Sequence, residues 1–191
     1  PILSHNCITQ LPDDFGNTRA STIKLDHNLL TAIPNMPETQ FRLLDVSHNW
    51  LEQLPEQFPY GITQVSVHHN CLNTIPEAAK IVTDWDLSDN KIADPGLLLP
   101  WPTLTDIILQ NNGISKLPDN MGDFQALQEI NLDNNQLTTL PDDIGRLTQL
   151  RRLWLRSNQL TYLPSTMSSC SALTALVLSN NPNLAELPLS F

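Results

Sequence analysis

The sequence predicts a solenoid of the α/β class, with about nine stacked coils, a parallel β-sheet on the concave face and an extended or 3₁₀ convex side. The first observation is an asparagine that recurs every 20 to 23 residues. The second is that apolar residues keep fixed offsets from it, and the third is that a proline often follows six places later. The recurring asparagines are Asn6, Asn28, Asn49, Asn70, Asn90, Asn112, Asn135, Asn158 and Asn181.

The segment "LQEINLDNNQLTTLP", Leu127 to Pro141, displays the whole unit. Apolar residues stand eight, five and three places before Asn135, and two and five places after it. This is the leucine-rich repeat pattern. Apolar and polar residues alternate before the asparagine, which predicts a short strand with one buried face. The asparagine amide is expected to hydrogen-bond backbone groups of neighbouring coils.

The units differ in length along what we interpret as a single repeat domain, residues 1–191. Residues 1–92 contain repeats of 20–22 residues, whose outer segments, such as "LPEQFP", leave room only for an extended chain. Residues 104–191 contain repeats of the 23-residue type, whose outer segments fit a 3₁₀ turn or short helix that buries Met121, Phe124, Ile144, Leu147 and Met167.

Residues 93–103 form an irregular loop between these two kinds of repeat. Pro95 stands where the pattern requires leucine, and Gly96 replaces the proline. We expect Trp101 to cover a gap in the core there, and the alternative is a partner-binding bulge.

Charge and composition narrow the function classes. The net charge is −10, from 20 acidic and 10 basic residues among 191. Nucleic acids and anionic membranes require a basic face, so neither is the expected partner. Three cysteines form no disulfide framework, and no asparagine lies in an N-x-Ser/Thr site. This favours a reducing, intracellular location. The terminal coils carry little capping sequence, so we expect flanking domains of the same chain.

Four histidines immediately precede the repeat asparagine: His5, His27, His48 and His69. Later repeats place Asp89, Asn111, Asn134, Ser157 and Asn180 in the same slot. The favoured interpretation is an exposed polar position shared by related repeats. The alternatives are a pH-sensitive patch, or a zinc ion shared by neighbouring imidazoles with His68 and Asp89 as further ligands. The sequence has no tight ligand motif, so no metal site and no cofactor is predicted.

The concave face carries two candidate features for partner binding. The first is an acidic field formed by Asp84, Asp86, Asp89, Asp106, Glu129 and Asp133. The second is "RLWLR", in which an exposed Trp154 stands between Arg152 and Arg156, a composition typical of an interface hot spot. Alternatively, the two arginines pair with Glu129 and Asp133 while Trp154 stacks on their stems.

A ridge beside the histidines is a third candidate, because Cys7, Leu29, Trp50 and Cys71 all follow the repeat asparagine. Simple edge packing is the alternative. No catalytic constellation is predicted, since an open sheet offers no closed pocket. The predicted partner-binding residues are Arg152, Trp154, Arg156, Asp84, Asp86, Asp106, Glu129, Asp133, Trp50, His48 and His69.

Two resemblances bear on function. The stretch "FRLLDVSHNWLEQLPEQFPYGITQVSVHHNCLNTIP" resembles the repeats of bacterial type III effectors, including the novel E3 ubiquitin ligases. That resemblance implies a substrate-recognition domain; the Cys-x-Asp nucleophile of the ligase domain is missing, because the cysteines read "CIT", "CLN" and "CSA". The stretch "LPDDIGRLTQLRRLWLRSNQLTYLP" resembles intracellular Ras-group repeats, which implies a scaffold.

The sequence therefore predicts a non-enzymatic protein–protein interaction module that binds a basic protein surface through its concave face. The resemblance implies the recognition domain of a bacterial effector such as a ubiquitin ligase, acting inside a host cell. The alternative is a signalling scaffold or an intramolecular docking domain of a larger intracellular protein.

Overall fold

The computed structural model describes residues 1–17, 19–36, 40–75, 81–94 and 101–188. These residues form eight parallel strands in one sheet, in the order β1 to β8. The first coil adds an isolated bridge between Ile2 and Lys24. The predicted leucine-rich repeat solenoid is thereby confirmed. The strands are β1 Thr22–Lys24, β2 Leu43–Asp45, β3 Gln64–Ser66, β4 Asp84–Asp86, β5 Asp106–Ile108, β6 Glu129–Asn131, β7 Arg152–Trp154 and β8 Ala175–Val177.

Strands β1 to β7 bury their central residue and turn the two flanking residues towards the concave face, while the central residue of β8 is half-buried. In β4, for example, Trp85 is buried while Asp84 and Asp86 are half-buried. The strands pair in register, so Trp85 lies between Val65 and Ile107 on its neighbours. Equivalent apolar positions therefore stack into one continuous core inside the solenoid.

The recurring asparagines form a ladder of hydrogen bonds. Asn49 Nδ2 donates to the carbonyls of Val46 and Ser47 on its own coil, and to that of Leu25 on the preceding coil, at 3.0–3.1 Å. Its Oδ1 accepts from the Leu30 N–H at 2.9 Å. The side chain thus pairs backbone groups that the turn would otherwise leave buried and unsatisfied. The predicted role of the asparagine column is confirmed.

The slot before each ladder asparagine has a left-handed backbone. All nine occupants have φ between 52° and 60°. Asn, Asp and His are several-fold enriched in this region compared with other non-glycine residues. The histidines therefore occupy a position selected by backbone conformation as well as by exposure. The occupants are His5, His27, His48, His69, Asp89, Asn111, Asn134, Ser157 and Asn180.

The convex side follows the length of the units. The described residues of the 23-residue repeats contain the 3₁₀ helices Met121–Asp123, Asp142–Arg146 and Ser165–Ser169, as predicted. The five apolar residues assigned to this layer are buried. The prediction of an extended convex side was wrong for the first unit, where Phe15–Asn17 is also a 3₁₀ helix. Its "LPDDF" shares the Pro-Asp-Asp-apolar signal of "LPDDI" at 140–144.

The junction between the two kinds of repeat is closed by two tryptophans. Trp101 is fully buried, and its ring lies 5.9 Å from that of Trp85 at an interplanar angle of 30°. The prediction that Trp101 fills the core is confirmed, while Pro95 and Gly96 lie outside the described residues. No helix in the described part of the chain is long and apolar enough to cross a bilayer.

Candidate functional site: the concave groove and the histidine rim

A groove of about 440 Å³ lies on the concave face and extends across β1 to β7. Its volume falls within the range of ligand-binding clefts. Five of the predicted partner-binding residues line it: Asp84, Asp86, Asp106, Glu129 and Trp154. The other six predicted residues, Arg152, Arg156, Asp133, Trp50, His48 and His69, are not among the groove-lining residues.

Sheet register creates a row of carboxylates within the groove. Asp84 pairs with Asp106 on the next strand, and Asp106 pairs with Glu129 on the strand after that. Cross-strand neighbours on one face of a sheet lie about 5 Å apart. Asp86 lies on the same strand as Asp84, one pleat further along. Three successive strands therefore present acidic side chains to the same stretch of the groove.

Three of these carboxylates accept hydrogen bonds from neutral hydroxyl groups, and these bonds do not neutralise their negative charge. Thr83 Oγ1 donates to Asp84 at 2.5 Å, and Thr105 Oγ1 donates to Asp106 at 2.6 Å. Ser88 Oγ donates to Asp86 at 2.7 Å. Within the described residues no salt bridge involves any of these three aspartates. Neutral donors orient the carboxylates but leave their negative charge to attract a cationic ligand.

The arginines flanking Trp154 differ in their contacts. Arg152 Nη1 forms an ion pair with Glu129, so that part of the sequence-based alternative is confirmed. Asp133 instead accepts the backbone N–H of Arg156 at 2.7 Å, while Arg156 Nε donates to Ser179 Oγ at 3.2 Å. The predicted pairing of the Arg156 side chain with Asp133 was wrong, because the guanidinium turns to Ser179 and only the backbone N–H of Arg156 contacts that carboxylate.

Trp154 is half-buried, and its description as an exposed side chain was wrong. Its strand position lies between Asn131 of β6 and Val177 of β8, and the indole lines the groove wall. A tryptophan whose ring is partly open to a groove can still contact a ligand, but it presents only part of the ring and not a fully exposed side chain.

Sequence reasoning missed several groove-lining residues. Lys24 and Asp45 lie towards one end of the groove, and Leu43, Ile108 and Asn131 are also among the residues that line it. Each of them stands four or six places before a ladder asparagine, at a position already predicted to face the concave side. Their spacing from the ladder asparagine therefore predicts that they face the groove, but they belong to none of the charged clusters from which the binding residues were predicted.

The histidine column forms a second feature on the rim, at the end of the strands. The rings of His5, His27, His48 and His69 stack on consecutive coils, with centroids 4.1–4.3 Å apart and interplanar angles of 21–23°. His68 lies at right angles to His48 and His69, at 84° and 79°. His48 is half-buried, unlike its three exposed neighbours in the column.

Two titratable groups on this rim have shifted pKa values. Burial lowers the pKa of His48, and positive charge on His27, His69 and His68 would lower it further. Burial acts to raise the pKa of Asp26, but hydrogen bonds from Ser4 and His27 outweigh it and leave that pKa below its ordinary value. The rim therefore favours neutral His48 and ionised Asp26.

The apolar ridge beside the histidines is largely accessible. Trp50 is 57% exposed and Leu29 is 43% exposed, and Cys7 is also exposed, while Cys71 is half-buried. All three cysteines of the chain are free thiols. This ridge lies outside the groove, so the predicted binding surface divides into two separate regions.

Comparison with known proteins agrees with this architecture. Residues 102–160 and 125–184 match the family model for the leucine rich repeat. The solved structure of a leucine-rich repeat protein of Leptospira interrogans has 25% sequence identity to this chain and a TM-score of 0.67. The match covers 90% of this chain and 53% of the Leptospira chain. The fold is that of leucine-rich repeat proteins.

Two plant receptors solved as complexes are also similar to this chain. One is the ectodomain of the membrane receptor kinase GASSHO1/SCHENGEN3 from Arabidopsis thaliana, in complex with CASPARIAN STRIP INTEGRITY FACTOR 2, with 28% identity and a TM-score of 0.73. The match covers 93% of this chain and 23% of the receptor chain. The other is the plant peptide hormone receptor RGFR1, in complex with RGF2, with 22% identity and a TM-score of 0.74. That match covers 96% of this chain and 33% of the receptor chain.

The chain thus spans about half the length of the Leptospira protein and a smaller share of each receptor. No curated protein matches the sequence significantly. The leucine-rich repeat fold is typical of protein–protein interaction modules, as in the receptors whose structures hold a partner.

Proposed function

We propose that this leucine-rich repeat module recognises an extended, lysine- and arginine-rich segment of a protein partner in its concave groove. The observation that carries the proposal is the row of Asp84, Asp106 and Glu129, with Asp86 beside it, in a groove where only Glu129 forms a described ion pair. Complementary charge favours a basic ligand.

The length of the groove supports a polypeptide ligand. Seven strands are separated by six intervals of about 4.8 Å, roughly 29 Å in total. That distance matches about nine residues of extended chain, at about 3.3 Å per residue. Trp154 near one end would contact an apolar side chain of the same segment, since buried tryptophans commonly anchor interfaces.

The sharpest test is selection of ligands from an unbiased peptide-display library on the immobilised protein. We expect the selected peptides to be enriched in Lys and Arg, and their binding to weaken as salt rises. The triple variant Asp84→Asn, Asp86→Asn, Asp106→Asn removes three charges from the groove and should lose most of this binding.

A matched control changes the same net charge elsewhere. Asp13→Asn, Glu52→Gln and Glu56→Gln alter three exposed acids outside the groove, and this variant should keep its affinity for the selected peptides. Selected peptides without positive charge, or an equal loss in both triple variants, would contradict a groove that reads basic segments.

The finer proposal is that the module is the substrate-recognition part of a bacterial effector, such as a ubiquitin ligase, which acts in the host cytoplasm and is not itself catalytic. Its support is the likeness of residues 41–76 to effector repeats. The gene itself provides the test: a downstream domain with a Cys-x-Asp motif is expected, and a receptor kinase or adhesin domain there would contradict it.

A docking role within a larger chain is the second candidate. Its support is the half-buried state of Leu173, Leu176 and Leu178, whose equivalents Leu150, Leu153 and Leu155 are fully buried one coil earlier. Hydrogen exchange on a longer chain distinguishes the two functions. Protection of β8 alone supports docking against the end of the stack, and protection of β4 to β6 without added partner indicates that the groove is occupied in cis.

A further inference from the structure

Three imidazoles converge at one point of the histidine rim. His48 and His69 stack on neighbouring coils with centroids 4.3 Å apart, because both occupy the left-handed slot before a ladder asparagine. His68 precedes His69 in the chain and approaches the stacked pair edge-on. The ligand nitrogens of these three rings all lie within 4.8 Å of one another.

The closest pair already has the spacing of two ligands on one ion. His68 Nδ1 and His69 Nδ1 share a hydrogen bond at 2.9 Å, which a bound metal ion would replace. Two nitrogens bound to one metal at about 2.1 Å are separated by about 3.0 Å at a right angle and by about 3.4 Å at the tetrahedral angle. A ligand nitrogen of His48 lies within 4.8 Å of the ligand nitrogens of both His68 and His69.

The surroundings also suit a cation. The Asp89 carboxylate lies 3.6 Å from His69 Nδ1 and can serve as a fourth ligand or hold that ring in place. Imidazole with carboxylate is a donor set that suits zinc, copper and nickel.

We propose that His48, His68 and His69 bind one first-row transition-metal ion of the zinc class on the rim of the solenoid. The ion links the third and fourth coils, since His48 belongs to one and the other two ligands to the next. It stabilises the fold, because the unfolded chain does not hold the three rings together. This site is separate from the concave groove and does not depend on the groove's ligand.

A second cluster on the same rim, His5, Asp26 and His27, is the weaker candidate. It offers two nitrogens instead of three. Its carboxylate already accepts hydrogen bonds from Ser4 Oγ and from the His27 ring. The third ring nitrogen therefore favours the site at His48, His68 and His69.

Neighbouring coils provide the substitutions that test the site with little disturbance. Asn occupies the left-handed slot at Asn111 and Asn134, so His48→Asn and His69→Asn keep the backbone preference. Ser occupies the position of His68 at Ser47 and Ser88 on the two adjacent coils, so His68→Ser copies its neighbours. His5→Asn is the matched control in the same column, outside the cluster.

The experiment titrates Zn²⁺ into the chelator-stripped protein by calorimetry and repeats the titration with Co²⁺ while following visible absorption. We expect one ion per chain, a rise in melting temperature, and a Co²⁺ spectrum of nitrogen-rich coordination. Loss of any of the three ligands should weaken binding by more than the roughly 10- to 100-fold typical of a lost outer-shell partner. His5→Asn should leave affinity unchanged.

Three outcomes would overturn the proposal. They are failure of Zn²⁺ and Co²⁺ to bind the wild-type protein, unchanged affinity in His68→Ser and His69→Asn, and loss of binding in His5→Asn, which would assign the ion to the other cluster. Equal melting temperatures of wild type and variants in chelator ensure that a lost signal reports lost ligands and not misfolding.

Discussion

The first and second halves of the solenoid share an inner surface and differ in the outer one. In both, three-residue strands pair in parallel and the ladder asparagines make the same hydrogen bonds. On the convex side, the last three described 3₁₀ helices pack against one another, whereas the segments after β2 and β3 contain no described helix. The difference is a matter of two or three residues per unit.

This comparison shows which part of a repeat carries the constraint. The asparagine and the apolar residues around it must meet backbone groups on the next coil, so their spacing does not vary between the halves. The outer segment only has to cover the core, and additional residues allow a 3₁₀ turn that adds buried side chains such as Phe124 and Leu147. Stability and sensitivity to substitution should therefore differ between the two convex sides.

The largest expected effect comes from the junction, where the halves are coupled. Trp101→Ala removes a fully buried indole that packs beside Trp85, and it should lower the free energy of unfolding by about 3–5 kcal/mol. Because each coil contacts only its neighbours, we expect the halves to unfold in separate steps, measured by urea denaturation with hydrogen exchange. The control is Trp50→Ala at an exposed position, which should lower the free energy of unfolding by less than about 1 kcal/mol. Similar losses in the two variants would show that packing at the junction contributes no more to stability than an exposed side chain does.

A smaller effect should distinguish the two convex sides. An added methyl at Gly145 would lie 2.7 Å from Thr166 Cβ on the next 3₁₀ helix and closer still to the Thr166 carbonyl. Gly145→Ala should therefore cost about 1–3 kcal/mol by overpacking. In the first half, the added methyl of Gly61→Ala would lie 3.6 Å from the Gln40 carbonyl, so stability should stay within about 0.5 kcal/mol. Thermal or urea melts of both variants measure the difference, and equal costs would show that the outer layers are packed alike.

The smallest expected effect is the pH response of the first half. The folded protein lowers the pKa of His48, so the unfolded chain binds more protons near the ordinary value of about 6.5. Stability should therefore fall as pH drops through that value. His48→Asn, measured beside the wild type by urea denaturation in chelator from about pH 7.5 to 5.5, should weaken this dependence. An unchanged slope would locate the acid sensitivity elsewhere.

Much of the fold was predictable because its constraints are periodic. Asn28 and Asn49 stand 21 residues apart and bond the same kinds of backbone group, so spacing alone indicated lateral neighbours. The buried state of Trp85 also followed from its offset, five places before Asn90. The left-handed slot could have been predicted too, because a column of only His, Asp, Asn and Ser is typical of positive φ. The 3₁₀ helix at Phe15–Asn17 was missed although its Pro-Asp-Asp signal recurs later in the chain.

The candidate sites were less predictable because they depend on side-chain directions across coils. The sequence predicted that Arg156 lies beside Asp133, but the contact is made by the backbone N–H of Arg156 and not by its side chain. It placed His48, His68 and His69 on adjacent coils, but their mutual angles arise from the rotamers that neighbouring rings allow. The groove itself is a property of sheet curvature, which no single repeat encodes.

The spacing of asparagine and leucine by itself determined that the coils stack, which residues are buried and which columns face the concave side. Hydrogen-bond geometry forces these results, since any other register would leave backbone groups unpaired in the core. Only the tertiary structure decided that Trp154 lies half-buried in a groove wall, that Arg152 pairs with Glu129, and that three imidazoles meet at one point. Those outcomes depend on angles and distances of a few ångströms between separate coils, and a linear pattern does not carry them.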